Sequence, residues 1–152
     1  MRLKKWLCSP WMLLLLGAGI LLAMADRGTY RQEGISMTAV EGSVTSRSVT
    51  VEVLNRTDRR ISNAGELEDY HVQRRLWGLW LPMREEGRPG DTVCAALESC
   101  SYEKDVPRRL TFYWSDTRPF DALRPGRYRL VLEFWDHGGE SPFALAAEFT
   151  VD

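Results

Sequence analysis

Apolar and polar residues alternate with a period of two over most of this chain. In an extended strand this period places every second side chain on the same face, so each run predicts a β-strand with one buried face. No segment is helical over the length that a parallel βαβ crossover needs, which favours an all-β class. The alternating runs lie at 49–54, 70–74, 110–114, 128–134 and 143–151.

Turn-forming residues separate these runs. Turn signals containing Gly, Pro, Asn or Asp lie at 55–60, 76–80, 85–91, 118–126 and 136–142. Seven or eight short strands at this spacing predict an antiparallel sandwich of two sheets. The predicted core consists of the apolar set in each run: Val49, Val51, Val53, Tyr70, Val72, Trp80, Leu110, Phe112, Trp114, Tyr128, Leu130, Leu132, Phe134, Phe149 and Val151.

The first 25 residues have the pattern of an export leader. Three basic residues precede an uncharged stretch at 11–25, and Ala23-Met24-Ala25 fits the small-x-small cleavage rule, so we expect a signal peptide removed after Ala25. The alternative is an uncleaved anchor, because residues 6–25 are uncharged and about long enough to span a bilayer. Both alternatives predict an exported protein, secreted or held at the membrane.

This leader sets the domain organisation and the charge. We expect a signal peptide or membrane anchor at 1–25, a short lead-in at 26–34 and one sandwich domain at 35–152. The whole chain has a formal net charge of −1, and the leader contributes three positive charges, so the remainder carries −4. A mildly acidic domain lacks the positive field that nucleic-acid binding requires, so no nucleic-acid partner is expected.

Two cysteines follow the leader, Cys94 and Cys100 in the segment CAALESC. Export permits a disulfide between them, which is the expected state. A zinc or redox pair is the functional alternative, although neither a CxxC motif nor a His cluster accompanies them. Two free buried thiols are the remaining alternative.

The segment LRPGRY predicts a corner between two strands. Pro125 restricts its own φ, and Gly126 can adopt the positive φ of a type II turn. Tyr128 can bury its ring and return its hydroxyl to a backbone group a few residues upstream, as in a tyrosine corner. Leu123 is expected to close the core below it.

The order of these elements resembles the bacterial Ig-like domains of exported and membrane-attached proteins. The similarity begins at SVTVEVLNRTDRRIS (48–62) and covers about residues 35–151. It departs from the family pattern at 63–65 and at the CAALESC insert. The matching positions are Tyr70, Val72, Gly78, Trp80, Trp114, Leu123, Pro125, Gly126, Tyr128, Arg129 and Phe134. The resemblance implies an Ig-like fold and no particular reaction, since such sandwiches carry many functions.

Catalytic and metal-binding patterns are weak in this sequence. It contains no GxSxG, HExxH, P-loop or GxGxxG motif, so no enzyme activity and no cofactor is predicted. His71 alternates with core positions and is expected to face solvent. His137 lies in a loop with Asp136 and Glu140, which reads as a solvated turn rather than a metal site.

The strongest candidate surface is the hairpin segment RRLWGLW, with Arg74, Arg75, Trp77 and Trp80. Trp80 is expected in the core. Trp77 lies beside the turn glycine and is either exposed, where its flat ring suits protein or glycan contact, or folded over the end of the sandwich.

A second arginine cluster lies at the Pro-Gly corner, with Arg124, Arg127 and Arg129. Charged residues at alternate positions of a strand are usually a solvated rim, so we expect them to pair with acidic neighbours such as Glu133.

These features predict a non-catalytic exported Ig-like module that binds a protein or glycan at the cell envelope. Residues 6–25 would attach it to the membrane if the leader is retained. The alternative is a protease inhibitor of sandwich type that inserts an end loop, 85–91 or 136–142, into a protease cleft.

Overall fold

The computed structural model describes residues 10–26, 28–63, 70–83, 101–113, 122–138 and 142–152. These residues form one helix and nine strands, against the seven or eight strands expected; two of the nine have only two residues, too few to leave an alternating pattern. The elements are α1 (Pro10–Met24), β1 (Ile35–Ala39), β2 (Ser48–Asn55), β3 (Ile61–Ser62), β4 (Tyr70–Leu76), β5 (Leu79–Pro82), β6 (Ser101–Tyr102), β7 (Arg108–Tyr113), β8 (Gly126–Asp136) and β9 (Phe143–Val151).

The strands pair into two antiparallel sheets. One has the order β1-β2-β7, with Val53 opposite Met37 and Val49 opposite Phe112. The other follows β5-β4-β8-β3-β6, and β9 pairs with β8. Tyr70 of β4 packs on Phe112 of β7 with ring centroids 5.2 Å apart, so the core lies between the sheets. The described residues therefore form an all-β sandwich, as the alternation predicts.

The predicted core is largely observed. Thirteen of its residues are buried: Val49, Val51, Val53, Tyr70, Val72, Leu110, Phe112, Tyr128, Leu130, Leu132, Phe134, Phe149 and Val151. Trp114 lies outside the described residues, and Trp80 is only partly buried. Ile35, Met37, Ile61 and Tyr102 join this core, because β1 and the short strands β3 and β6 also contribute inward side chains, and Leu145 of β9 joins it as well.

Strand β8 is buried on both of its faces over residues 128–132. It pairs with β4 on residues 128–132 and with β9 on residues 126–134. Arg129, which was expected in a solvated rim, and Val131, which also alternates with the core set, are 7% and 2% exposed. A further layer of the chain must therefore cover the outer face of this sheet.

Helix α1 begins at Pro10 and ends at Met24, and none of its residues 14–23 belongs to the core cluster. Its large apolar side chains Leu14, Leu15, Leu16, Ile20 and Leu22 are exposed. Within the described part of the chain, no helix has the length and apolar content needed to cross a bilayer. The assignment of 1–25 as signal peptide or anchor stays a prediction.

The Pro-Gly corner lies where the chain enters β8. The Tyr128 hydroxyl donates to the backbone oxygen of Arg124 at 2.7 Å, and its ring is buried against Phe149. Leu123 is buried in the core, and its backbone NH donates to Ser46 at 2.7 Å. Gly126 has a φ of 155°, rather than the value near +80° of a type II turn, so the predicted turn type is wrong. The reason is that Gly126 is already the first residue of β8, paired with Val151.

The Tyr128→Phe variant tests the contribution of this corner to stability. It keeps the buried ring and removes the hydrogen bond to Arg124, so the free energy of unfolding should fall by about 1 kcal/mol or somewhat more. Urea denaturation of the variant and the wild type measures this difference. Tyr113→Phe is the matched control, because Tyr113 is 54% exposed. A Tyr128→Phe variant as stable as the wild type would contradict the role of the hydroxyl.

Candidate functional site

The hairpin between β4 and β5 places one tryptophan at its tip. Leu76 pairs with Leu79, which leaves Trp77 and Gly78 as a two-residue loop. Both loop residues have positive φ, 49° and 83°, the combination that characterises a type I′ turn. The Trp77 side chain is 83% exposed, so it does not fold over the end of the sandwich.

The other three residues of the predicted surface do not form one patch with Trp77. Arg75 lies over the Trp80 ring, with 5.7 Å from its guanidinium carbon to the ring centroid. Arg74 points to the opposite side of the strand, where it lies 5.8 Å from the Tyr128 ring and donates to Pro125 O at 3.2 Å. Because neighbouring residues of a strand face opposite ways, Arg74 and Arg75 cannot serve the same surface.

The prediction that Trp80 belongs to the core is wrong. The register of the hairpin pairs Trp80 with Arg75, and β4 pairs Gln73 with Arg129 of β8. Alternation therefore places Trp80, Gln73 and Arg129 on the outer face of the sheet. Trp80 is half-buried there, because the guanidinium of Arg129 lies 4.7 Å from its ring centroid.

Arg129 is the buried centre of a cluster on this outer face. Its Nε donates to Gln73 Oε1 at 2.6 Å, and its guanidinium lies between two rings, 4.5 Å from the centroid of Tyr30 and 4.7 Å from that of Trp80. Two aromatic faces are a favourable environment for a cation that has lost its water. The expectation that Arg129 is part of a solvated rim with Glu133 is wrong, whereas Arg124 and Arg127 are exposed and Arg127 pairs with Glu148 at 3.2 Å.

The cover over Arg129 comes from the lead-in. The Asp26 carboxylate accepts hydrogen bonds from the Tyr30 hydroxyl and from Gln73 Nε2, and its Oδ2 lies 3.6 Å from Arg129 Nη2. The backbone NH of Asp26 donates to Trp80 O at 2.8 Å. Gln73 therefore joins the carboxylate to the guanidinium through its two amide atoms, and the lead-in is part of the folded domain.

A glycine permits the tight path of this segment. Gly28 N donates to Asp26 Oδ1 at 2.7 Å, which turns the chain back so that Tyr30 reaches the same carboxylate. A Cβ at Gly28 would lie 2.7 Å from the Tyr30 ring, closer than real contacts allow. A side chain at position 28 would therefore require the Tyr30 ring to shift from its place at the Asp26 carboxylate.

The environment of Asp26 determines its protonation. Burial alone would raise the pKa of this carboxyl, but hydrogen bonds from Tyr30, Gly28 and Gln73 and the charge of Arg129 outweigh it, and the pKa lies below its ordinary value of 3.8. Burial, followed by the hydrogen bond to Asp26, raises the pKa of Tyr30 above its ordinary value of 10.0. The cluster thus holds a carboxylate, a neutral phenol and a cation at neutral pH.

The two histidines make no hydrogen bond to this cluster within the described residues. His71 is exposed, and His137 Nε2 lies 2.9 Å from the hydroxyl of Ser62. Among the described residues no three His, Cys, Asp or Glu side chains converge in the manner of a metal site. Cys94, Cys100 and the loop 85–91 lie outside the described residues, as does Glu140, so the disulfide and the inhibitor hypothesis stay predictions.

Asn55 is a polar residue whose role the sequence did not reveal. Its Asn-x-Thr context suits a glycosylation acceptor, yet its side chain is fully buried. Its Nδ2 donates to the backbone oxygens of Arg59 and Tyr102, and its Oδ1 accepts from Thr57. Asn55 therefore holds the 55–60 turn against β6 and offers no free amide to a glycan in the folded domain.

Comparison with known proteins adds no family assignment, since neither a protein-family model nor a curated protein matches this chain.

Asp26→Asn tests the carboxylate in this cluster. Because the folded-state pKa is depressed, the ionised form stabilises the fold at pH values above 3.8, and this contribution disappears as the pH falls through the folded-state pKa. At pH 7 the variant should be less stable than the wild type by about 1–2 kcal/mol. The difference should shrink towards zero in strongly acidic solution.

Denaturant unfolding at several pH values measures this dependence. Asp58→Asn is the matched control, since Asp58 also pairs with a cation, Lys104, but its side chain is 91% exposed and should contribute little. A pH-independent difference for Asp26→Asn would show that the charge of the carboxylate is not what stabilises the cluster.

Proposed function

We propose that this chain is a non-catalytic, exported immunoglobulin-like module that binds a protein or glycan partner at the cell envelope through the tip of its β4–β5 hairpin. The observation that carries the proposal is the position of Trp77 on a two-residue turn with its side chain 83% exposed. A large exposed aromatic ring is an unfavourable surface for an isolated domain and a common anchor of binding interfaces.

The turn supports a binding role because it presents the ring with little freedom. The backbone of a type I′ hairpin is fixed by its flanking pairs, so binding would order only the side-chain torsions of Trp77. Arg75 is exposed behind it and lies against Trp80. The proposed contact surface is therefore narrower than the predicted one: it consists of Trp77 and Arg75, with Trp80 as support and without Arg74.

Two further features support the immunoglobulin-like fold and the export that the proposal includes. Two antiparallel sheets with a shared core agree with an immunoglobulin-like sandwich, and the family resemblance adds the order of the elements. The pattern of residues 1–25 supports export, by a cleaved signal peptide or a retained anchor. A flat indole can stack on a sugar ring or enter an apolar pocket of a protein. The experiment therefore has one arm for a glycan partner and one for a protein partner.

Trp77→Ala tests the hairpin tip. The purified protein is mixed in one arm with isolated peptidoglycan and in the other with solubilised envelope proteins, and the retained fraction of wild type and variant is compared. Loss of a central aromatic anchor should lower the affinity by about tenfold or more. The thermal stability should not change, because the side chain has few contacts to lose.

Trp135→Ala is the control for this experiment. Trp135 is also exposed, at 47%, but lies towards the far end of β8, beyond the residues that pair with β4. The Trp135→Ala variant should be retained to the same extent as the wild type in both arms. Equal retention of Trp77→Ala and the wild type in both arms would overturn the proposed surface.

A further inference from the structure

A row of polar residues crosses the outer face of strands β4, β8 and β9, and its central residue is buried, unlike the residues of an ordinary solvated face. Gln73 lies opposite Arg129, and Arg129 lies opposite Glu148 of β9. Arg129 in the middle of the row is 7% exposed. A guanidinium loses favourable hydration when it is buried, so this position requires a partner of opposite charge and rings that replace the water.

The lead-in meets both requirements in the way that a bound peptide does. Asp26 supplies the carboxylate, Tyr30 supplies the ring, and the Asp26 NH adds one backbone hydrogen bond to Trp80 O. Residues 28–31 belong to no strand. In the described residues, the lead-in therefore lies on the sheet through side-chain contacts and a single backbone bond, not as an additional paired strand.

One donor of the site is left without a hydrogen bond. Arg129 Nη2 is buried and has no hydrogen-bond partner among the described residues, since Asp26 Oδ2 stands 3.6 Å away. A buried donor on a charged group that lacks an acceptor is unfavourable. A carboxylate that could approach more closely would gain a charge-assisted hydrogen bond that Asp26 does not make.

Solvent reaches the edge of this site. A cleft of about 560 Å³ lies beside the lead-in and is lined by residues of the lead-in, β1 and β9, together with Arg129. Tyr30 forms part of its wall. A displacement of the lead-in would open this cleft directly onto the guanidinium.

We propose that Gln73, Trp80 and Arg129 form a binding site for a peptide segment that presents a carboxylate and an aromatic ring, and that Asp26 and Tyr30 of the lead-in occupy it as an internal ligand. A partner protein with an acidic and an aromatic residue at similar spacing can take the place of the lead-in. This site shares Trp80 with the base of the hairpin but does not include Trp77, so it does not depend on the role of Trp77.

The experiment supplies the internal ligand from outside. The full chain with Asp26→Ala and Tyr30→Ala keeps the sheet residues and loses both recognition groups of the lead-in. An acetylated peptide with the sequence of residues 26–32, DRGTYRQ, is titrated into it by calorimetry. We expect saturable binding with one peptide per chain. The wild-type chain should bind the same peptide about tenfold more weakly or worse, because its own lead-in competes at a high effective concentration.

Two altered peptides identify the groups that are recognised. Replacement of the peptide Asp by Asn, or of its Tyr by Ala, should each weaken binding by about tenfold or more. Absence of binding at millimolar peptide, equal binding of the Asn peptide, or equal binding to the wild-type chain would each overturn the proposal. If the double variant does not fold, Asp26→Asn, which keeps the Tyr30 contact, is titrated in its place with the same expected and contradicting outcomes.

Discussion

The burial of Arg129 is the constraint on which the outer half of this structure depends. A guanidinium placed in the centre of a sheet, between Gln73 on β4 and Glu148 on β9, must be covered and neutralised. The lead-in does both, with the Asp26 carboxylate at 3.6 Å and the Tyr30 ring at 4.5 Å. The lead-in from Asp26 is therefore held against the sheet that follows it in the chain. If the leader is cleaved after Ala25, the new amino terminus is the nitrogen that donates to Trp80.

Trp80 links this cluster to the hairpin. One part of its environment is the guanidinium of Arg129 and the other is that of Arg75, at 4.7 and 5.7 Å from its ring centroid. The base of the hairpin is thus held by the same contacts that hold the lead-in. Trp77, three residues before Trp80, projects from this support on a turn with fixed backbone geometry. A stable base beneath an exposed ring is the arrangement that a binding surface needs, because little order must be gained on binding.

The core between the two sheets could be predicted from the sequence. The cover on the outer face of the β4–β8 sheet could not. Alternation identifies the buried face of a strand such as β2 because one side is apolar throughout. It fails for Arg129 and Trp80, since charge suggests exposure and aromatic character suggests the core, and neither reveals that another segment lies on the outer face. Val131, an apolar residue on the same face as Arg129, was a local sign of a covered surface. Pairing of Asp26 with a residue more than a hundred positions away depends on tertiary structure alone.

The most direct test of this account is the environment of the Arg129 side chain in solution. In nuclear magnetic resonance spectra of the folded protein, the side-chain protons of Arg129 should be shifted upfield by the ring currents of Tyr30 and Trp80, and they should show through-space contacts to both rings. Tyr30→Leu should remove one set of contacts and part of the shift. Unshifted Arg129 resonances without a contact to Tyr30 would contradict the claim that the lead-in covers the sheet.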